Sequence, residues 1–363
     1  MKLSVVILSY NVRYFLELCI KSVQAAITDL DAEIIVVDNY SSDDSCEMVR
    51  RLFPTVRLIE NSENLGFSKG NNIGVAQAKG KYICILNPDT VVAEDTFKMI
   101  LAHAETNSKI GLLGCQLLDG RGQFLPESKR NIPTPMVSLK KILGFPNAYY
   151  ASKLSANDIG NVEVLVGAFM FLRKAVYDEV NGFDEDYFMY GEDIDLSYKV
   201  LKAGYKNVYF GKTSVLHYKG ESTLKDGNYA KHFYGAMQIF YHKHFKTNLV
   251  FDVFVRFGIL FSRLFMKKYK PIDSVVAERV LVTAHSNLNI KLPFHITISQ
   301  DIVGLIGDKQ VVFDGNTLGY NEIIQNMISL ANNKGLTFRI LPKDSFFIIG
   351  SDSSQQHGEV ILL

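Results

Sequence analysis

No charge of one sign predominates in this sequence: 39 lysines and arginines meet 38 aspartates and glutamates, a formal net charge of +1. That balance excludes the global basic field of a nucleic-acid binder, so nucleic acid is not an expected partner and any anionic ligand must be held by local groups. Cysteine is scarce as well. Cys19, Cys46, Cys84 and Cys115 show no paired spacing and three of them sit inside apolar runs. This excludes a disulfide framework and a zinc site, and reads as reduced core thiols of a cytoplasmic protein. The N-terminal MKLSVVILSYN turns polar too soon for a signal peptide. Residues 249 to 270 are apolar but interrupted by Asp252, Arg256 and Arg263 and end on Lys267 and Lys268. That pattern argues against a membrane span and leaves two readings, an interfacial helix at the inner face of the plasma membrane or a helix packed on its own domain. Two nucleotide fingerprints are also missing. The glycines at 66, 70 and 74 do not form Gly-x-Gly-x-x-Gly, and Gly-x-x-x-x-Gly-Lys-Ser/Thr does not occur, which argues against a dinucleotide enzyme and a P-loop NTPase.

What is present is a large apolar fraction, 47% of 363 residues, enough for one large domain with an appendage or two medium domains. Short β-branched runs at 3–10, 33–39, 56–61, 82–87 and 110–118 alternate with helical patterns such as Leu16, Ile20, Val23 and Ile27. Near-continuous apolar strands joined by crossover helices mean a mostly parallel sheet covered on both faces, so the fold class is α/β with a doubly wound first half. Residues 119 to 160 break the rhythm with glycines and prolines, as a loop over a binding face or an ordinary surface excursion would. Regularity returns at VLVGAFMFLR, followed by a helix pattern in YGEDIDLSYKVLKAG, two short strands (VYF and SVLHY) and a closing helix over 229–246. Residues 275 to 363 carry short strand-like runs around one helix pattern, a small α/β appendage of unassigned role. The expected divisions are 1–247, a helical linker at 248–274, and 275–363.

In open α/β sheets ligands bind beyond the carboxyl ends of the strands. There the first strand presents Ser9, Tyr10 and Asn11, the second Asp38 and Asn39 with Ser41 beyond, the third Asn64 and Gly66, and the fourth Asn87-Pro88-Asp89. Asp38 can accept the imide N–H of a pyrimidine, and the turn through Gly66, Lys69, Gly70 and Asn71 can bring backbone donors near a ribose or phosphate. Each stretch alone is equally a turn or a helix cap; four polar strand ends on one edge suggest a nucleotide. Asp89 suits a divalent cation, Mg2+ or Mn2+, that neutralises a diphosphate leaving group. Glu192 and Asp193 follow an aromatic lead-in, Tyr187 to Tyr190, so a carboxylate there can act as a base as well as begin a helix. His217, at the end of a strand, can complete a metal's ligands.

VVILSYN, IIVVDNYSSDDS, ENLGFSKGNNIG, ILNPDTVV, the stretch from VGAFMFLR to VLKAGY, and VLHYKGEST, in this order, resemble the inverting family 2 glycosyltransferases of GT-A fold, rhamnosyltransferase-like bacterial members above all. The likeness covers residues 3 to 245. It implies that Ser9 to Asn11 and Asp38 hold a nucleoside, that Asn64, Gly66 and Asn71 line its ribose and phosphate side, that Asn87, Asp89 and His217 stand at the metal, and that Asp193 is the base with Glu192 assisting. Asn87 replaces the first aspartate of the family's Asp-x-Asp motif. The Gln-x-x-Arg-Trp motif of processive synthases is absent, as is tryptophan altogether, which implies one sugar per encounter. The resemblance further implies a UDP- or dTDP-linked sugar donor, dTDP-rhamnose among them, and a glycan or lipid-linked saccharide acceptor; peripheral membrane contact follows from the 249–270 segment instead, and a homodimer is left open. The contrary reading is a catalytically decayed core that binds glycans as a scaffold; it predicts loss of Asp89 or Asp193, and both are present.

Overall fold

The structure is a computed structural model that describes residues 1–134, 136–137, 145–221, 227–245, 278–284, 293–353 and 357–363. The anticipated linker at 248–274, with its 249–270 apolar segment, lies outside the described residues. Among the described residues no helix is long and apolar enough to cross a membrane.

Strands β1 (Leu3–Ser9), β2 (Ala32–Asp38), β3 (Arg57–Glu60) and β4 (Tyr82–Leu86) run parallel in the order β3-β2-β1-β4. The alternation inside β1 explains why the sheet is covered twice. Leu3, Val5 and Ile7 join one core with Leu16, Ile20 and Val23 of helix α1 (Arg13–Ala26), whereas Val6 joins Ile35, Val37 and Val75 on the opposite face. Every one of these side chains except Val75 is fully buried. Helix α2 (Ser45–Leu52) follows β2. Helix α3 (Gly66–Ala76) packs so closely on β1 that a Cβ at Gly70 would stand 2.5 Å from Leu8 Cδ1. Helix α4 (Thr96–Glu105) follows β5 (Thr90–Val92).

Beyond β4 the sheet turns mixed, in the order β8-β6-β9-β5, with β7 (Ile159–Val162) also on β9. Strand β8 (Phe169–Arg173) is antiparallel to both β4 and β6 (Ile110–Leu118). The expectation of two short strands, VYF and SVLHY, is corrected: Lys206–His217 is one twelve-residue strand, β9. Gly211, Lys212 and Thr213 stay extended because a register break on β6, from Cys115↔Phe210 to Gln116↔Ser214, absorbs them. Helices α5 (Lys174–Glu179), α6 (Glu192–Lys202) and α7 (Gly227–His244) complete this unit. All four cysteines are free, and Cys19, Cys84 and Cys115 are buried.

The appendage forms its own six-stranded sheet, in the order β11-β10-β12-β13-β14-β15, from β10 (Glu278–Val282), β11 (Thr297–Ser299), β12 (Lys309–Asp314), β13 (Thr337–Leu341), β14 (Phe347–Gly350) and β15 (Glu359–Leu362). Helix α8 (Tyr320–Leu330) follows β12. One apolar cluster joins the two units: Val91, Leu118, Leu216 and Tyr218 pack with Tyr320, Ile323, Met327 and Phe347.

Candidate active site

The carboxyl ends of β1, β2 and β4 meet α6 and the side chains of Glu127, Arg130, Tyr149 and Tyr150 around a cavity of about 940 Å3. Ser9, Tyr10, Asn39, Asn64, Gly66, Asn87, Glu192, Asp193 and His217 line it. Asn11, Asp38, Ser41, Lys69, Gly70, Asn71 and Asp89 do not. Several of these seven brace the wall instead. Asn11 adopts a left-handed φ of 53° and receives Ser42 N–H on its side chain at 2.7 Å, while its own N–H donates to Ser41 Oγ at 2.9 Å. Asp38 Oδ2 accepts Ser41 N–H at 2.8 Å and leaves Oδ1 buried without a partner. Asn71 donates to Phe67 O at 2.9 Å, and Lys69 points outward as an exposed residue.

Asn39 is the tie between strand ends. Its N–H donates to Ser9 O at 2.8 Å, its Nδ2 to Asn64 Oδ1 at 2.7 Å, and its Oδ1 accepts Leu65 N–H at 3.0 Å. Gly66 completes that corner with φ +77°, and a Cβ there would fall 2.4 Å from Phe188 O. Only glycine fits both the left-handed backbone and the close approach. The aromatic lead-in to α6 is thereby fixed: Phe188, Met189 and Tyr190 stand in the cavity wall, and Tyr187 is buried.

Asn87-Pro88-Asp89 makes the turn between β4 and β5, held by Asn87 N–H to Ala168 O at 3.0 Å and Thr90 Oγ1 to Asn87 O at 2.7 Å. Because Thr90 pairs with His217 in the β5–β9 ladder, Asp89 is delivered next to the imidazole. Asp89 Oδ1 lies 3.5 Å from His217 Nε2, and Asn87 Nδ2 lies 3.3 Å from the same nitrogen. Asp89 Oδ1 and His217 Nδ1 are both buried with no hydrogen-bond partner. Unsatisfied buried polar atoms of metal-ligating type are costly to keep unless something else binds them. Among the described residues no group of three or more histidine, cysteine, aspartate and glutamate side chains gathers to hold a metal. One carboxylate and one imidazole fit a hard cation whose other ligands are phosphate oxygens and water.

Across the cavity, Tyr190 and Gly191 adopt φ values of 66° and 102° and swing the chain into α6, so Glu192 and Asp193 open the helix at the cavity surface. Sequence reading missed the partner of Asp193. Arg130 Nη2 donates to Asp193 Oδ2 at 2.5 Å, to Leu165 O at 3.2 Å, and its Nη1 to Tyr149 Oη at 3.3 Å. Asp193 also accepts Gly167 N–H at 3.1 Å and Ile194 N–H at 2.7 Å. Three donors thus converge on the buried Asp193 carboxylate. Glu192 is different: burial first, then the Asp193 charge, push its carboxyl up to about 8, and Oε2 has no partner. Glu192 thus keeps its proton near neutrality beside Asp193.

Glu127, Arg130, Tyr149, Tyr150 and Lys219 are among the lining residues that strand-end reasoning did not find. Four lie in the aperiodic 119–160 stretch, where no pattern marks an inward side chain. Lys219 was within reach, two residues beyond His217 in the same quoted stretch.

A mostly parallel α/β sheet thus opens its strand ends on a polar cavity with an aromatic rim and an acidic helix start. Residues 4–180 match the model of the family described as Glycosyl transferase family 2. The N-acetylglucosaminyl-diphospho-decaprenol L-rhamnosyltransferase of Mycobacterium tuberculosis strain H37Rv is 28% identical over 242 residues, 62% of this chain and 78% of that one. The rhamnosyltransferase WbbL of Escherichia coli K12 is 31% identical over 163 residues, 42% of this chain and 61% of that one. A solved structure, the mannosyltransferase PcManGT of Pyrobaculum calidifontis in complex with GDP-Man and Mn2+, aligns with a TM-score of 0.49 and 16% identity, covering 71% of this chain and 69% of that one. Residues 4–180 thus form a family 2 glycosyltransferase region, similar to rhamnosyltransferases and built on a mixed, mostly parallel α/β sheet.

Proposed function

We propose that the chain transfers a single sugar, with inversion, from a UDP- or dTDP-linked donor such as dTDP-rhamnose to a hydroxyl of a glycan or lipid-linked acceptor. One observation carries the reading: His217, with Asp89 held against its imidazole from behind, and the Glu192–Asp193 pair line one cavity. The acceptor class takes support from the M. tuberculosis relative, whose name makes a lipid-linked N-acetylglucosaminyl diphosphate its acceptor.

The strand ends at Ser9, Tyr10 and Asn64 receive the nucleoside, braced from behind by Asn39 and Asp38. Asp89 and His217, beside Asn87, would hold a divalent cation, which supplies charge neutralisation to the departing diphosphate. Asp193, oriented by Arg130 and Gly167 N–H, takes the proton of the acceptor hydroxyl as its oxygen attacks the anomeric carbon in line. Glu192, protonated at neutral pH, offers a donor beside it rather than a second negative charge. Such a positioned base contributes roughly 10²–10⁴ in rate.

The test is titration of the protein with UDP, dTDP and GDP, with and without Mn2+, repeated on Asp89→Ala, followed by transfer assays on Asp193→Asn. The expected result is metal-dependent binding of one nucleotide that Asp89→Ala loses, and near-complete loss of transfer in Asp193→Asn with nucleotide binding intact. Wild-type transfer by Asp193→Asn would remove it as the base, and the absence of any nucleotide binding would remove the donor.

A further inference from the structure

Two fixed cations stand among the described residues of the cavity wall, Arg130 and Lys219. Arg130 is committed: it is buried, and its guanidinium is shared between Asp193, Tyr149 and Leu165 O. Lys219 is placed otherwise. It follows β9 two residues after His217, in a left-handed backbone conformation (φ 62°) unusual for a side-chain-bearing residue. The preceding residue ties this turn to the metal-side loop, since Tyr218 N–H donates to Asp89 O at 3.0 Å. Its ammonium is therefore anchored on the Asp89–His217 side of the cavity, the side at which a diphosphate would lie.

The present partner of that ammonium is the carboxylate of Glu127. Glu127 sits in a short 3-10 turn, Pro126–Ser128, which Ser128 pins to β6 by accepting Leu117 N–H at 3.1 Å and donating to Leu125 O at 2.6 Å. Both members of the pair line the cavity, and their side chains keep 30% and 20% of their accessible surface. A half-open ion pair of this kind is worth little, because solvent screens it and both side chains lose freedom in making it. A diphosphate brings more charge to the same lysine and sits beside the cation site.

We propose that Lys219 grips the diphosphate of the donor and that Glu127 is a resident competitor, an internal carboxylate that donor binding displaces from it. The assignment rests on the donor reading above. It makes Lys219 a binding residue for the leaving group and gives Glu127 a defined effect: its charge weakens donor binding.

The experiment measures dissociation constants of UDP and dTDP, with UMP and dTMP as probes lacking the second phosphate, for the full-length wild type, Glu127→Gln, Lys219→Met and the double variant. Expected are about 2- to 5-fold tighter diphosphate binding in Glu127→Gln, the size of a removed half-exposed ion pair, and roughly 10- to 100-fold weaker binding in Lys219→Met, the size of a lost charge-assisted hydrogen bond. Glu127→Gln is expected to have no effect in the Lys219→Met background, and the monophosphates are expected to respond less than the diphosphates. Unchanged or weaker diphosphate binding in Glu127→Gln overturns the competitor, and equal losses for mono- and diphosphate in Lys219→Met overturn the lysine's role. If Lys219→Met does not fold, Lys219→Gln takes its place in the cycle, because loss of the Glu127 charge by itself also lessens the repulsion felt by any anion in the cavity. A wild type that binds none of these nucleotides overturns the donor reading and this assignment with it, whereas a binding wild type with indifferent variants overturns this assignment alone.

Discussion

Glu221 closes the same turn that carries Lys219, and its carboxyl is buried at the junction of the two units, 4% exposed. Both of its oxygens accept Gly358 N–H, each at 2.8 Å. Burial, with a smaller contribution from the charge of Asp89, raises it from 4.5 to about 8. The folded protein therefore holds a proton on Glu221 that the unfolded chain gives up near pH 4.5. The stabilisation is complete below that value and drains away as the pH rises through about 8. At about 1.4 kcal/mol for each pH unit in the window, the ceiling is roughly 4–5 kcal/mol. Water entry and relaxation reduce it, so a loss on the order of 2–3 kcal/mol between pH 5 and pH 8.5 is expected.

Glu221→Gln removes the titration while keeping an acceptor for Gly358 N–H. The variant should match the wild type within about 1 kcal/mol at pH 5 and exceed it by on the order of 2–3 kcal/mol at pH 8.5. The chain has no tryptophan, so urea unfolding is best followed by far-UV circular dichroism, in chelator to keep Asp89 free of metal. A difference between the two proteins that stays flat from pH 5 to pH 8.5 refutes the reasoning: Glu221 would then be ionised in place, and the junction wetter than its burial implies.

Gly66→Ala should cost more than 3 kcal/mol, since strain at φ +77° adds to a Cβ driven against Phe188 O; a thermal midpoint within 2 °C of wild type would show that the corner yields. Arg130→Met leaves the buried Asp193 carboxylate without its cation, a loss of about 3–5 kcal/mol to be read by urea unfolding, and should lower the transfer rate because the carboxylate loses the donor that orients it. The double variant Arg130→Met/Asp193→Asn should recover part of that stability without activity, and failure to recover any would mean that Arg130 acts mainly through Tyr149 and Leu165.

The parallel half of the fold was legible because its strands are buried on both faces: β1, β2, β4 and β6 read as continuous apolar runs, and α1 showed Leu16, Ile20 and Val23 at helical spacing. Strand direction was not legible. Nothing in FMFLR distinguishes a parallel strand from the antiparallel β8 that the sheet inserts between β4 and β6. The single strand β9 was hidden by Gly211 and Lys212, which look like a turn until the β6 register break explains them. Polar residues at strand ends marked the cavity floor because topology alone delivers them there. Arg130 and Glu127 were invisible for the opposite reason: they enter from a stretch without periodicity, and only their carboxylate and ammonium partners reveal their direction.

The appendage was read as a separate unit, and its contacts argue for a closer relation. Strand β5 has three residues and ends the sheet, so by itself it would leave an open edge next to Asp89. Helix α8 is bound at that place. Glu94, two residues past β5, accepts the first two N–H groups of α8, Tyr320 at 2.6 Å and Asn321 at 2.7 Å, which satisfies donors that no residue within the helix can. The same surface continues through Val91, Leu216 and Tyr218 beneath Ile323 and Met327. On the other flank Gly358 N–H meets Glu221, and at Gly120 the approach is close enough that a Cβ would stand 2.0 Å from Ser351 O. The two segments that bring Asp89 and His217 together are thus packed from behind by residues more than a hundred positions later in the chain. An Asp89–His217 geometry set by a three-residue strand has little rigidity of its own, and the appendage supplies the missing layer.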